Sequence, residues 1–188
     1  VIVNLFFSQL INQNTKELPQ DNPDLKHQCM LLMDEFTSIG KVEIIAHSVS
    51  YMAGYNIRLF PIIQSVAQLD AVYGKEYART IITNHALQII YTPREQQDAN
   101  EYSEMLGYTT VKRKNVSRGR ERSVSESEER RALMLPQELK AMSQDKEIIL
   151  YEGMSHPAQV GKIRYYQDGT FTKRLMEAVK VASLKGKR

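Results

Sequence analysis

The sequence has one cysteine, no tryptophan and no long apolar run. Cys29 lies in the apolar segment 29–33, so its expected role is that of a small buried hydrophobic residue. No apolar stretch approaches the roughly twenty residues that a membrane-spanning helix requires, and no basic segment precedes an apolar one at the N-terminus. We therefore expect the chain itself to be neither secreted nor membrane-spanning, and a reducing compartment fits its single thiol.

Several kinds of chemical site are also missing from the sequence. The four histidines, His27, His47, His85 and His156, do not have metal-ligand spacing, so a zinc site is not indicated. His85 is expected to make a polar contact at a sheet edge. No Ser/His/Asp or Cys/His arrangement indicates a nucleophile, and no G-x-x-x-x-G-K-[ST] loop is present to hold phosphates. The catalytic interpretation that stays open is phosphoryl chemistry, at a site whose phosphate-binding loop another segment would have to supply.

The bulk composition is that of a folded protein, with 42% hydrophobic and 25% charged residues among 188. This length predicts one domain, or the larger part of one, built on a single core. A net charge of +3 is weak evidence for an anionic partner. The chain starts without methionine inside an apolar helical pattern, from which we expect the natural protein to continue upstream.

The apolar pattern predicts alternating helices and strands, which is typical of a parallel α/β sheet. Helices are expected at the N-terminus, over 42–52 with closure at Gly54, over 66–83, over 93–106 and, as a short helix, from after Pro136 to Met142. Strands buried on both faces are expected at 28–33 and 57–63. Further strands are expected at 86–91, 108–111, 147–151 and near 160–166, with helical residues continuing to about 182.

The segment 112–131 changes composition to Ser, Arg, Lys and Glu. Such a stretch buries too little apolar surface to order itself, which predicts a mobile basic loop. Three roles stay open for it: a solvated surface, a contact with nucleic-acid phosphates, or a contact with a partner protein.

Two adjacent carboxylates end the first apolar strand. In a Walker B segment the carboxylate at the strand end helps to hold Mg²⁺ near the phosphates of ATP, and Asp34 has that position. The residue after it suits a general base that orients water, which makes Glu35 the candidate. The alternative is that Asp34 and Glu35 simply end a buried strand and begin a loop.

Gln64 closes the next predicted strand, where ligands collect in open α/β sheets. An amide there can donate to a γ-phosphate or position water. The alternative is a loop-capping or structural glutamine, and the carboxylates one strand away favour the functional role.

Several longer segments together form a distinctive series along the chain. They are LLMDEFTSIG (31–40), AGYNIR (53–58), IIQSVAQL (62–69), YG (73–74), TNH (83–85), LGY (106–108), the basic stretch, RALMLPQE (131–138), Pro157 and the tyrosine pair 165–166. In residues, spacing and order these segments resemble the TraG family of conjugative coupling ATPases, and the resemblance covers nearly the whole chain.

The resemblance implies a RecA-like P-loop NTPase fold, of which this chain is the C-terminal part without the Walker A loop, and ATP with Mg²⁺ as cofactors. It implies a homo-hexamer on the cytoplasmic face of the bacterial inner membrane, held by an N-terminal anchor that this chain lacks. Expected partners are a relaxase with single-stranded DNA and the proteins of a type IV secretion channel. The isolated chain is not expected to hydrolyse ATP appreciably.

Some relatives place a candidate arginine finger before the Ala-Gly pair, where this chain has residues 50–52 (Ser-Tyr-Met). Arg58 is close by, and pairing with a local carboxylate is an equal possibility for it. Two further functions stay open for the whole protein. One is a docking platform for secretion substrates with little turnover, and the other is a ring translocase for double-stranded DNA.

Overall fold

The computed structural model of the chain describes residues 2–118 and 122–177. Among these residues no helix is both long and apolar enough to cross a membrane. In chain order the elements are α1 (Ile2–Asn14), β1 (Cys29–Met33), α2 (Glu43–Ser48), a 3₁₀ turn (Met52–Tyr55), β2 (Ile57–Pro61), α3 (Val66–Tyr73), α4 (Lys75–Thr83), β3 (Leu87–Ile90), α5 (Gln96–Leu106), β4 (Tyr108–Arg118), β5 (Arg122–Ala132), α6 (Pro136–Lys140), β6 (Lys146–Tyr151), β7 (Ala158–Gly161) and α7 (Gly169–Thr172).

The N-terminal half, residues 2–84, is built on a parallel pair of strands. β1 and β2 pair in register from Cys29 opposite Ile57 to Met33 opposite Pro61. The turn and helix between them form the crossover that parallel pairing requires. Helices α1 to α4 contribute buried apolar residues to a common cluster with the strands, including Ile11, Leu31, Phe36, Ile45, Leu69 and Ile81.

The C-terminal half, residues 86–177, is built on antiparallel strands in the order β3-β6-β7. The connection from β6 to β7 is too short for the crossover that a parallel neighbour needs, so it returns antiparallel. Thus the α/β class holds, with β1 and β2 as its parallel sheet, while these later strands depart from the parallel order expected. α5 and α6 pack on this sheet around Ile90, Leu106, Leu139, Met142 and Ile148.

The expectation of one core is wrong for the described residues. Their buried apolar side chains form two clusters, one in each half. Among the described residues β1 packs on the buried cluster through Leu31 and Met33, while Met30 and Leu32 on its other face are each 62% exposed. The described residues by themselves do not cover the second face of β1 that the sequence predicts to be buried.

The expected loop at 112–131 is instead part of a long β-hairpin. β4 and β5 pair antiparallel from Tyr108 opposite Ala132 to Arg118 opposite Arg122. Residues 119–121 lie outside the described residues. The prediction failed because a two-stranded ribbon satisfies its backbone hydrogen bonds without burying apolar side chains, so a polar composition does not exclude it.

Opposite charges support the base of this hairpin across the strands. The Lys112 ammonium lies 3.8 Å from a Glu128 carboxylate oxygen, and Arg113 Nε lies 3.2 Å from a Glu129 oxygen. The Arg130 guanidinium lies over the Tyr108 ring at 4.1 Å from its centre. These pairs are solvent-exposed, so each adds little stability, and their arrangement follows the cross-strand register.

Three predicted boundaries also change. The helix expected over 42–52 ends at Ser48, and the 3₁₀ turn that follows closes at Asn56, with φ of 58°, rather than at Gly54. The helical stretch 66–83 divides at Gly74, whose φ of 81° suits glycine. The strand expected near 160–166 is Ala158–Gly161, and the only described helix after it is Gly169–Thr172. The expected helical residues 178–182 lie outside the described residues.

Candidate functional site

A β-bulge ends β1 at the two predicted carboxylates. The Ile62 N–H donates to the Met33 carbonyl at 2.9 Å, and the Phe36 N–H donates to the Ile62 carbonyl at 2.9 Å. Asp34 and Glu35 therefore lie opposite one residue of the neighbouring chain segment, which is the arrangement of a bulge. Bulges redirect side chains, and both Asp34 and Glu35 are exposed at this edge of the sheet.

The bulge holds Glu35 in an uncommon backbone conformation, with φ of 50°. A left-handed conformation costs a non-glycine residue about 1–2 kcal/mol. The Glu35 N–H donates to Asp34 Oδ1 at 3.0 Å, which satisfies the amide that the bulge leaves out of the ladder. Contacts from the surrounding structure must offset the remaining conformational cost of this turn.

Gln64 lies at the same edge of the sheet as the two carboxylates. It follows Ile62, the residue that is bonded to both sides of the bulge, and it is exposed. Because β1 and β2 run parallel, their carboxyl ends meet at one edge. The structure therefore brings Asp34, Glu35 and Gln64 to one edge, while their chemical roles stay predictions.

A polar link joins the bulge to the first turn of α3, and the sequence analysis did not assign it. Ser65 is the N-cap of α3, and its side-chain oxygen accepts the Gln68 N–H at 3.3 Å. The Gln68 side-chain oxygen in turn accepts the Thr37 hydroxyl at 3.3 Å. The Ser-x-x-Gln spacing is the signal for such a cap, although its second half here reaches Thr37 rather than the cap amide.

An aromatic stack supports the bulge from the core side. Phe36 is fully buried and stacks on Tyr73 at 5.2 Å between ring centres. The Val42 N–H donates to the Tyr73 hydroxyl oxygen at 3.2 Å. Burial raises the pKa of Tyr73, with a smaller rise from Glu43, and the Val42 N–H opposes both. The hydroxyl is therefore neutral at physiological pH and serves as a fixed acceptor.

Arg58 and His85 have local roles that differ from those expected. Arg58 donates to the Ala53 carbonyl at 2.6 Å, and no carboxylate among the described residues pairs with it. It therefore fastens the 3₁₀ turn to β2. His85 Nδ1 lies 2.6 Å from the Ile81 carbonyl, so this residue closes the end of α4 rather than a sheet edge. Cys29 is partly buried against the N-terminal cluster, in line with its expected packing role.

The segment 131–138 organises the junction between the hairpin and α6. Glu138 accepts the Leu135 N–H at 2.8 Å and also pairs with Arg131. The Leu135 N–H, and after it Arg131, lower the pKa of Glu138.

Four cations at the base of the hairpin have a partner within the chain. Arg131 pairs with Glu138, Arg130 lies over Tyr108, and Lys112 and Arg113 pair with glutamates. This pairing disfavours, for those four, a role in binding phosphates.

Comparison with known proteins agrees with the fold and with the family resemblance of the sequence. The family model for type IV secretory system conjugative DNA transfer matches residues 1–187. Protein VirD4 of Rhizobium radiobacter is 28% identical over 180 residues, which cover 94% of this chain and 26% of that protein. Conjugal transfer protein TraG of Escherichia coli is 27% identical over 197 residues, covering 93% of this chain and 30% of its own length. The chain thus spans less than a third of these relatives.

Solved structures of the conjugative coupling protein TrwB share the fold. The unbound monoclinic form of TrwBdeltaN70 superposes with a TM-score of 0.61 at 22% identity, covering 72% of this chain and 32% of the other. TrwB in complex with ADP and Mg²⁺ gives 0.57 at 23%, covering 72% and 30%. This likeness shows that the matched residues share the fold of these TrwB structures, in keeping with the α/β class that the sequence predicts. With a family match over almost its entire length, the chain belongs to the type IV secretory conjugative DNA transfer family, as its resemblance to TraG predicted.

Proposed function

We propose that this chain supplies the Walker B side of an ATP site in a conjugative coupling ATPase. The observation that carries the proposal is the bulge that turns Asp34 and Glu35 out at the same sheet edge as Gln64. Ligands of open α/β sheets bind at this carboxyl edge. The Walker A loop, which the sequence lacks, must come from another part of the full-length protein.

The donor set at this edge fits Mg²⁺. No group of three or more His, Cys, Asp or Glu that could hold a metal occurs within residues 2–118 and 122–177. Mg²⁺ does not need such a cage, because it keeps several waters and binds through one or two carboxylates together with substrate phosphates. Asp34 would hold it, through water. The solved complex of TrwB with ADP and Mg²⁺ supports this cofactor pair.

The two remaining residues would act on the attacking water and on the phosphate. When bound, ATP would supply the γ-phosphoryl group, and Mg²⁺ held by Asp34 would offset the negative charge of the phosphates. Glu35 is exposed just past the strand end, where its carboxylate can accept a proton from water. The Gln64 amide can donate to the γ-phosphate or orient the water.

In the whole protein we infer that ATP hydrolysis drives relaxase-bound single-stranded DNA toward a type IV secretion channel. The family match and the VirD4 and TraG relatives support this function. The corresponding assembly is a homo-hexamer at the cytoplasmic face of the inner membrane, anchored by a segment outside this chain. Recruitment of secretion substrates without appreciable turnover is the competing function.

The test is single-stranded-DNA-stimulated ATPase activity of the full-length protein. We expect Asp34→Ala, Glu35→Gln and Gln64→Ala to lose turnover, and Glu35→Gln to keep nucleotide binding. Glu104→Gln is the matched control, since it removes the charge of an exposed glutamate in the C-terminal half. Normal turnover in Glu35→Gln would contradict the general-base role. An inactive wild type that still binds relaxase would favour the docking function.

A further inference from the structure

The chain makes a turn from Glu35 to Ser38, the Glu35 turn, where the ladder between β1 and β2 ends. The last backbone hydrogen bond between the two strand ends runs from the Phe36 N–H to the Ile62 carbonyl. The Ser38 N–H then donates to the Glu35 carbonyl at 2.8 Å, which closes the turn. Thr37 lies inside this turn and is partly buried. The position of Glu35 therefore depends on what holds the turn.

Gln64 lies between the end of the ladder and the start of α3. The ladder ends at Ile62, and Ser65, directly after Gln64, is the N-cap of α3. The Ser65 side-chain oxygen accepts the Gln68 N–H at 3.3 Å, which ties the residue after Gln64 to the first turn of the helix. The placement of Gln64 therefore follows the placement of that first helical turn.

One side-chain contact joins these two parts of the site. The Thr37 hydroxyl donates to the Gln68 side-chain oxygen at 3.3 Å. In the part of the chain that the structure describes, it is the only hydrogen bond between the Glu35 turn and residues 63–70. Gln68 thus bonds through its backbone to the segment that carries Gln64, and through its side chain to the turn that carries Glu35.

The same helix also holds the Glu35 turn from the core side. Phe36 is buried in the N-terminal cluster and stacks on Tyr73, the last residue of α3. Gln68, in the first turn of α3, is exposed and contacts the turn from the solvent side. A segment held by one contact can still tilt about it, and a second contact at a distance removes that freedom. Catalytic groups need such support, because small displacements lower the rate.

We propose that Thr37 and Gln68 form a positioning pair for the catalytic groups. The hydrogen bond between their side chains sets the separation and relative orientation of Glu35 and Gln64 at the carboxyl edge of the sheet. In this role neither member needs to contact the reacting atoms, and each acts through the backbone of the segment that it holds. The inference rests on the proposed roles of Glu35 and Gln64 in ATP turnover.

The first experiment measures kcat and KM for ATP in the full-length protein after substitution of Thr37. Thr37→Val keeps the shape of the side chain and removes the hydroxyl, and we expect kcat to fall about three- to tenfold, the size of effect that one hydrogen bond supplies. KM should change little, because the pair makes no contact with the phosphates in this role. Thr37→Ser keeps the hydroxyl and should retain most of the turnover.

Thr80→Val is the matched control for the loss of a threonine hydroxyl. The Thr80 hydroxyl donates to the Glu76 carbonyl at 2.9 Å, a bond that is internal to α4 in the same half of the chain. We expect Thr80→Val to keep the wild-type kcat. Denaturant midpoints of Thr37→Val and Thr80→Val should be similar, so that a lower kcat in Thr37→Val alone reports displaced catalytic groups and not general destabilisation.

A second variant removes the acceptor instead of the donor. Gln68→Met keeps the length of the side chain and the backbone N–H that Ser65 accepts, but it removes the amide. We expect kcat to fall as far as in Thr37→Val. Combining the two substitutions should cause no further loss, because each of them already breaks the same bond, whereas independent effects would multiply. Gln68→Met also tests the bond if Thr37→Val does not fold.

The outcomes separate the positioning role from the assigned site. Unchanged kcat in Thr37→Val, equal losses in Thr37→Val and Thr37→Ser, or a multiplicative double variant would each overturn the proposal. Inactive Glu35→Gln and Gln64→Ala beside a normal Thr37→Val would overturn the positioning role and leave the assigned site intact. Normal turnover in both Glu35→Gln and Gln64→Ala would overturn the assigned site, and the positioning role with it.

Discussion

The two halves of the chain differ in how much apolar surface they bury and in the kind of sheet on which they are built. The N-terminal half packs four helices against one parallel strand pair, with Phe36 and Tyr73 stacked in its core. The C-terminal half has a smaller buried cluster, an antiparallel sheet and a long polar hairpin. The predicted site residues lie at the edge of the more deeply packed half. A strained turn such as the one at Glu35 persists where the surrounding contacts over-determine it, and the deeper core provides those contacts.

The largest expected effect comes from breaking the core beneath the bulge. Phe36→Ala removes a fully buried ring and its stacking on Tyr73, and we expect the free energy of unfolding to fall by about 3–5 kcal/mol. Denaturant unfolding measures this loss. Phe171, which is 45% exposed, provides the control substitution to alanine. Equal losses from the two variants would contradict the packing assigned to the N-terminal half.

The corresponding substitution in the C-terminal half should cost less. Leu139→Ala empties a fully buried position in the smaller cluster, and we expect a loss of about 2–3 kcal/mol. Hydrogen exchange should show faster opening of β3, β6 and α5 than of β1 and β2 in this variant. Uniform acceleration across both halves would show that the two clusters open as one unit.

Removing the cap of α3 should have a more modest effect, because a cap contributes a single hydrogen bond at the helix start. Ser65→Ala deletes the acceptor of the Gln68 N–H, and we expect a loss of about 1 kcal/mol in unfolding free energy. Ser65→Asn should restore most of it, since asparagine is a good N-cap. Thermal or denaturant unfolding of the pair makes the comparison, and identical stability of the two variants would argue against the cap.

A smaller effect, spread over pH, comes from Asp98, which lies buried in the first turn of α5, where burial raises its pKa. Its pKa is raised in the folded protein, so the folded state binds more protons than the unfolded state between the two pKa values. The Asp98 contribution to stability is therefore most favourable below pH 3.8, the ordinary value, and declines as pH rises through the raised pKa. The carboxylates of Glu95, Glu101 and Asp70 face the same region, and burial and Asp98 raise the pKa of Tyr102 to about 12.

The measurement for this prediction is unfolding free energy against pH for the wild type and Asp98→Asn. We expect the stability of the variant relative to the wild type to grow as pH rises above about 4. A difference that stays constant between pH 4 and pH 8 would show that burial does not oppose ionisation of Asp98.

The smallest effect is expected in the hairpin. Arg113→Ala breaks an exposed pair with Glu129, and we expect the unfolding free energy to change by no more than about 0.5 kcal/mol. The same measurement in high salt should give a still smaller difference, because salt screens the attraction within an exposed pair. A loss well above 1 kcal/mol would mean that the hairpin contributes more to the C-terminal half than its exposed pairs indicate.

The successes and failures of the sequence analysis follow the range of the interactions involved. β1, β2, β3 and β6 were predicted to within a few residues, because apolar runs of strand length are local patterns. The Walker B position and Gln64 were placed by strand ends, and parallel pairing then put both at one edge. The hairpin was missed because its stability depends on which residues lie opposite one another, from Tyr108 to Ala132.

By itself the sequence determined the family, the α/β class, the strands that lead to the site and the residue types at their ends. These are properties of short segments read in order. Tertiary structure alone decided the bulge at Asp34 and Glu35, the stacking of Phe36 on Tyr73 and the division of the buried side chains into two clusters. The physical reason is that the bulge exists only against Ile62, and the aromatic stack only when α3 packs beside the end of β1. Both depend on residues far apart in the chain meeting in space.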